Sequence, residues 1–237
     1  MADAIVAIQV AAPLRFFVPA RRRAPRVEVA YDATSTIGHL VSSLGVPLPE
    51  VGRLAVGGAQ VSPAYRPQPG DLVVVAPVRR PQPLPGGRAR FLLDVHLGSL
   101  ARRMRLLGID TRYERDIDDD ELARLAPEDD RVLLTQDRGL LHRTAIRERA
   151  AYVRGSGADE QLVDVLDRFA LATAPFTRCL ACNGLLAAAS KQDVLPVLEP
   201  GTARTYDDFV RCQACGHVYW RGAHARQLDA LVAAART

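Results

Sequence analysis

A chain of 237 residues is too long for a mini-protein and too short for more than two full domains. Its 48% hydrophobic and 24% charged residues exclude a wholly disordered, collagen-like or disulfide-packed chain. No apolar run approaches the ~18–20 residues that span a bilayer. The opening run, MADAIVAIQVAAPLRFF, has no basic stretch ahead of an apolar core, so neither a membrane contact nor a secretory leader is expected and the location reads as cytoplasmic. The net charge of +4 is uneven: residues 1–80 carry +4, residues 81–175 carry −2 and residues 176–237 carry +2. A protein that simply coats DNA would not gather its acids in the middle. An acidic cluster flanked by arginine is what a metal-dependent phosphodiester enzyme needs. Only Lys191 among the 31 basic residues is not Arg. Coding bias accounts for that excess, although the bidentate guanidinium fork also suits phosphate.

In chain order, Ala4–Val10 and Arg26–Tyr31 read as strands. Ser35–Leu44 reads as a short helix, with Thr34, Ser35 or Thr36 to cap it and Gly45 to close it. Leu54–Val56 and Gln60–Val61 flank the hairpin signal Gly57-Gly58, and Asp71–Ala76 is a last apolar strand. Two strands, a helix and further strands suit a ubiquitin-like β-grasp domain over residues 1–80. Residues 81–88 are a linker, because the run RRPQPLPGGR from Arg79 to Arg88 cannot hold a helix or a central strand.

Residues 89–175 alternate strand and helix. The expected strands are Arg90–Asp94, Ile109–Tyr113, Arg131–Thr135 and Ala151–Arg154. The expected helices are Leu97–Leu107, Asp119–Ala126, Gly139–Ile146 and Asp159–Ala170. Such βα repeats imply a parallel sheet with right-handed crossovers. Residues 176–237 carry all four cysteines and end in a helix near Arg226–Ala235.

Ligands of open α/β sheets bind beyond the carboxyl ends of the strands. Asp94 and Asp137 end the first and third strands there, and Asp118, Asp119 and Asp120 open a helix on the same edge. Converging like charges need a bound cation or a shared proton. Hard carboxylate oxygens select Mg²⁺ or Mn²⁺, which lowers the pKa of a bound water and stabilises charge on a phosphate. Each acid also has a structural reading: Asp119 as a helix cap, Asp137 as a cap for residues from Arg138, and Asp94 at a turn. Arg102, Arg103 and Arg138 are the candidate phosphate contacts, against the alternative of a solvated helix face.

The pairs Cys179–Cys182 and Cys212–Cys215, with Asn183-Gly184 and Gly216 beside them, read as two knuckles of a closed four-thiolate Zn²⁺ site. Four thiolates leave no open position, so that zinc is structural. His217 is not needed as a ligand. Tyr219 and Trp220 either stack on bases or pack the ribbon. His224 either contacts substrate or makes a structural hydrogen bond.

Two resemblances follow from these residues. Gly45-Val46-Pro47, Glu50-Val51-Gly52 and Gly70-Asp71-Leu72-Val73-Val74 resemble the ubiquitin-like domain that precedes the Mut-seven C-terminal RNase domain. The same ending occurs in sulfur carriers, but those use a C-terminal Gly-Gly, and Gly86-Gly87 here is internal. Arg90–Asp94, Leu97–Arg102, Leu106–Asp110, Asp118–Leu122, Leu133–Arg138 and Gln161-Leu162 resemble the motifs of the Mut-seven C-terminal RNase family itself. That family is PIN-like, and PIN domains are metal-dependent ribonucleases.

The resemblance therefore implies an α/β and α+β protein: a β-grasp domain, a PIN-like parallel-sheet domain and a zinc ribbon. It implies RNA as substrate and Asp94, Asp119 and Asp137 as ligands, with Asp118 or Asp120 as alternatives to Asp119. PIN domains use one more acid, for which Asp110, Glu121 and Asp159 are the candidates here. The ubiquitin-like domain would recruit a protein partner or fold over the nuclease domain. A nucleic-acid-binding module without turnover, or an adaptor, is the competing class of function.

Overall fold

The computed structural model describes residues 4–32 and 34–220. The first five strands form one sheet: β1 (Ala4–Val10), β2 (Arg26–Tyr31), β3 (Val51–Val56), β4 (Ala59–Val61) and β5 (Leu72–Pro77). Their order is β2-β1-β5-β3-β4, with β1 and β5 parallel and the other pairs antiparallel. Alternate residues of β1 and β5, including Val6, Ile8, Val73 and Val75, are fully buried. They pack with Ile37, Leu40 and Val41 of helix α1 (Ile37–Ser43). Thr36 caps α1 by accepting from the His39 amide, and Gly45, at φ +93°, turns the chain out of it. This is the expected β-grasp arrangement.

The second sheet comprises β6 (Arg90–Leu93), β7 (Asp110–Tyr113), β8 (Val132–Thr135) and β9 (Ala150–Tyr152). All its pairs are parallel and its order is β7-β6-β8-β9. Phe91, Leu92 and Leu93 are all fully buried, as are Leu133 and Leu134, because both sheet faces are covered. Helices α2 (Gly98–Leu106) and α4 (Ala158–Phe169) cover one face through Leu100, Met104, Leu162 and Val165, which pack with Phe91 and Leu93. Helix α3 (Asp119–Glu128) brings Leu122 and Ala126 into the core that holds Leu92 and Leu133.

That second core is continuous with the interior of the β-grasp domain. At the seam Glu50 and Arg168, both almost fully buried, form a 2.8 Å ion pair, and Glu50 also accepts from the Tyr152 amide at 2.9 Å. Gln82 in the linker exchanges two hydrogen bonds with Arg168, and Arg80 pairs with Asp164 and Asp167 of α4. The linker is therefore strapped to α4, and the first domain is docked on the second.

One expected helix does not form. Residues 139–146 make two 3₁₀ turns, Leu140–His142 and Thr144–Ile146, separated by an extended Arg143. The Asp137 carboxylate captures the amides of Gly139 and Leu140, and Leu140, Leu141 and Ile146 are pulled inward by burial.

The third part is an antiparallel sheet of β10 (Leu186–Ala189), β11 (Phe209–Cys212) and β12 (Val218–Trp220). Between β10 and β11 lie two short helices, α5 (Lys191–Val194) and α6 (Pro200–Thr205), which the sequence reading did not expect. The expected terminal helix at 226–235 lies outside the described residues. No helix among the described residues is long and apolar enough to cross a membrane.

Candidate active site and metal centre

The parallel sheet changes direction between β6 and β8: the chain runs from β6 out to β7, then returns to the far side of β6. A cleft opens at the carboxyl ends of strands at such a reversal. Asp94 directly follows β6 and Asp137 lies two residues beyond β8, so both candidate acids sit at this point.

Asp94 is 3% exposed and caps no helix with its side chain. Its Oδ2 accepts from the Thr135 hydroxyl at 2.5 Å, and the Thr135 oxygen in turn accepts from the Asp137 amide at 2.8 Å. One buried threonine thus ties the two strand ends together. Among the described residues Asp94 has no cationic partner. A buried carboxylate without a cationic side chain beside it is a ready ligand for a bound cation. Asp137 is exposed. Its Oδ1 accepts from Gly139 at 2.6 Å and Leu140 at 3.2 Å, which fixes the loop and leaves Oδ2 without a hydrogen bond among the described residues.

The three consecutive acids of α3 separate by role. Asp118 is the N-cap, accepting from the Glu121 amide at 2.8 Å. Asp120 is exposed and paired with Arg143. Asp119 is half-buried. Burial first, then the charges of Asp137 and Asp94, push its carboxyl above the usual carboxylate range, while Arg143 pulls the other way. The capping task falls to Asp118, so Asp119 is free to face the other two acids. These three do not reach the compactness of the cysteine cluster, the one group of metal-binding side chains among the described residues whose ligand atoms all lie within 4.8 Å of one another.

The candidates for a further acid are engaged elsewhere. Asp110 is at the start of β7, the opposite end of the sheet, bound by Arg131, Asn183 and Arg178. Glu121 pairs with Arg124, and Asp159 with Arg103 at 2.6 Å. Arg103 is accordingly occupied, whereas Arg102 is exposed and in no ion pair among the described residues. Arg138 lies with its guanidinium 4.3 Å from the Phe16 ring of the first domain. His224 lies outside the described residues. Sequence reasoning assigned no role to Thr135 or Arg143. A polar residue closing an otherwise apolar strand was the available signal for Thr135. Arg143 had none, because its place depends on a helix that does not form.

The cysteine site is built from two knuckles facing each other across the ribbon. Cys179 and Cys215 sulfurs are 3.7 Å apart and those of Cys182 and Cys212 3.5 Å apart. Sulfurs at the corners of a tetrahedron with Zn–S bonds of ~2.3 Å lie ~3.8 Å apart, so the four cysteines fit a structural zinc ion. Burial opposes ionisation of Cys179, but the Tyr219 hydroxyl at 3.1 Å and nearby backbone amides outweigh it, and its thiol falls to about 6. Tyr219 is turned into the knuckle, where its oxygen also accepts from the Leu180 amide, and the His217 ring lies tilted against its ring with centres 4.8 Å apart. Trp220 is 42% exposed, 6.4 Å from the Tyr206 ring.

The first knuckle is latched to the parallel sheet. Arg105 of α2, nearly fully buried, donates to the carbonyls of Leu180, Ala181 and Thr111. Asn183 accepts from the Thr111 amide and donates to Asp110.

A family model described as Mut7-C RNAse domain matches residues 89–232, and one described as Mut7-C ubiquitin matches residues 3–83. Among curated proteins and among solved structures, no match is found.

Proposed function

The chain belongs to the Mut7-C RNAse domain family, and on that premise we propose that it is a divalent-cation-dependent ribonuclease that hydrolyses phosphodiester bonds of RNA in the cytoplasm. The observation that supports this most is the buried Asp94 carboxylate, which has no cationic partner among the described residues and shares the sheet reversal with Asp137 and Asp119. Asp94, Asp119 and Asp137 are the ligands in this reading, and their hard oxygens suit Mg²⁺ or Mn²⁺. Such an ion would supply Lewis acidity at the scissile phosphate. Thr135 holds the Asp94 carboxylate in place. The Asp137 carboxylate orders the loop that carries Arg138. Arg102 and Arg138, which pair with no carboxylate among the described residues, would neutralise phosphate charge beside the acids. The cysteines hold Zn²⁺, which closes the ribbon and takes no part in hydrolysis. The reduced thiols suit a reducing compartment. The β-grasp domain acts as a fixed lobe of the enzyme, and a protein partner would meet it at its open edge strands, β2 and β4.

The test is cleavage of labelled single-stranded and structured RNAs and DNAs with Mg²⁺, with Mn²⁺ and with neither, comparing wild type with Asp137→Asn. Metal-dependent RNA cleavage that the variant loses supports the proposal. RNA binding without cleavage by a zinc-loaded wild type would mark a binding module instead.

A further inference from the structure

From Ala4 to Val27 the chain contains no acid but five arginines, Arg15, Arg21, Arg22, Arg23 and Arg26. The loop that carries most of them, between β1 and β2, is also what the first domain places against the carboxyl edge of the parallel sheet. Leu14, Phe17 and Val18 are buried and anchor it. Phe17 meets Tyr152, the last residue of β9, edge to face at 5.2 Å, and the Pro13 carbonyl accepts from the Arg154 guanidinium at 3.0 Å.

Phe16 stays 39% exposed with two guanidinium groups over its ring, Arg138 at 4.3 Å and Arg154 at 5.6 Å from its centre. Arg138 is the residue after Asp137. Among the described residues neither arginine pairs with a carboxylate, although Arg80, Arg103, Arg112, Arg124, Arg131, Arg143, Arg149 and Arg168 all do. Two cations left without a counter-ion, and held by an aromatic ring from another domain, are ordered before any anion arrives. The entropy of fixing two long side chains is then already spent. Arg21, Arg22 and Arg23 are exposed further along the same loop, and Arg26 is exposed at the start of β2.

We propose that this seam is the track for the substrate's phosphate backbone: Phe16 positions Arg138 and Arg154 to grip phosphates of a single-stranded RNA next to Asp137, and Arg21, Arg22, Arg23 and Arg26 carry the strand onto the β-grasp domain. This rests on the ribonuclease reading above and adds to it that the first domain supplies part of the substrate site.

The probe is a fluorescein-labelled 20-nucleotide 2′-O-methyl RNA, which resists hydrolysis, with binding followed by anisotropy across a salt series. Wild type is compared with Phe16→Leu, Arg154→Gln, the triple variant Arg21→Gln/Arg22→Gln/Arg23→Gln, and Arg66→Gln as an exposed arginine elsewhere on the domain. Phe16→Leu and Arg154→Gln each weaken binding about fivefold, and Phe16→Leu raises KM for a cleavable RNA with kcat unchanged. The triple variant lowers the slope of log affinity against log salt by about 2, from ~0.7 per phosphate contact on a single strand. Arg66→Gln changes neither. Thermal melts confirm that Phe16→Leu is folded, and Arg154→Gln, which removes no packing core, serves if it is not. Wild-type affinities and slopes in all three variants overturn the seam while leaving a cleaving enzyme intact. A wild type that binds the probe without cleaving RNA defeats the ribonuclease reading alone, and one that does neither defeats both.

Discussion

Replacing Glu50 by Ala tests whether the two domains are one thermodynamic unit. Arg168 is 1% exposed, and its charge is met by the Glu50 carboxylate at 2.8 Å, a side chain equally withdrawn from water. The remaining partners of Arg168, Gln82 at 2.7 Å and the Tyr152 carbonyl at 3.3 Å, are neutral, and its Nη2 already has no hydrogen-bond partner. Glu50→Ala therefore strands a buried guanidinium and deprives the Tyr152 amide of its acceptor. Breaking a buried pair from one side costs about 3–5 kcal/mol. For a chain of this size that corresponds to a fall in Tm of about 6–20 °C. The double variant Glu50→Leu/Arg168→Met removes both charges and recovers most of the loss, because an apolar pair of similar volume incurs no desolvation penalty. Differential scanning calorimetry follows both, and wild type shows the two domains unfolding in one transition. A Glu50→Ala melt within about 2 °C of wild type, or two separate wild-type transitions at different temperatures, would refute the reasoning.

Three other parts of the structure carry outcomes of their own. Gly108 has φ +79°, and a Cβ there would lie 2.0 Å from the Ala174 carbonyl oxygen, a backbone atom that cannot step aside; Gly108→Ala destabilises by at least about 2 kcal/mol in urea unfolding. Burial raises the Asp110 carboxyl, but Arg131 and Asn183 outweigh it and the net pKa is lowered, so its stabilisation is present above pH ~4 and is lost as pH falls from there through the lowered folded pKa. Asp110→Asn is accordingly less stable than wild type at pH 7 by equilibrium unfolding, and the gap narrows below pH 4. Metal analysis of the purified protein is expected to find one zinc per chain. Cys182→Ser loses it and exposes the backbone amide of Thr111, now held by Asn183, to faster hydrogen exchange.

Local signals made much of the fold legible. The Gly57-Gly58 hairpin, the cap at Thr36 and the apolar runs Phe91–Leu93 and Val132–Leu134 are written within a few residues of where they act. The paired cysteines were legible for the same reason, since a knuckle needs two thiols at fixed spacing. Asp94 and Asp137 followed from the rule for strand ends. What stayed hidden depends on distant partners. The 139–146 segment has a helical pattern, yet its first amides are bound by Asp137 and its apolar residues are buried against α3 and the first domain. Glu50 and Arg168 are 118 positions apart and leave no periodic trace. Phe16 reads as an ordinary apolar residue until the docked domain brings it against Arg138 and Arg154.

In the proposed reading Asp94, Asp119 and Asp137 together hold a divalent cation at the sheet reversal. Its most direct test is Mn²⁺ titration of the zinc-loaded protein, followed by electron paramagnetic resonance, for wild type, Asp94→Asn and Asp119→Asn. Wild type is expected to bind Mn²⁺ saturably, and each variant at least about tenfold more weakly. No saturable site in wild type, or the same affinity in all three proteins, would contradict it.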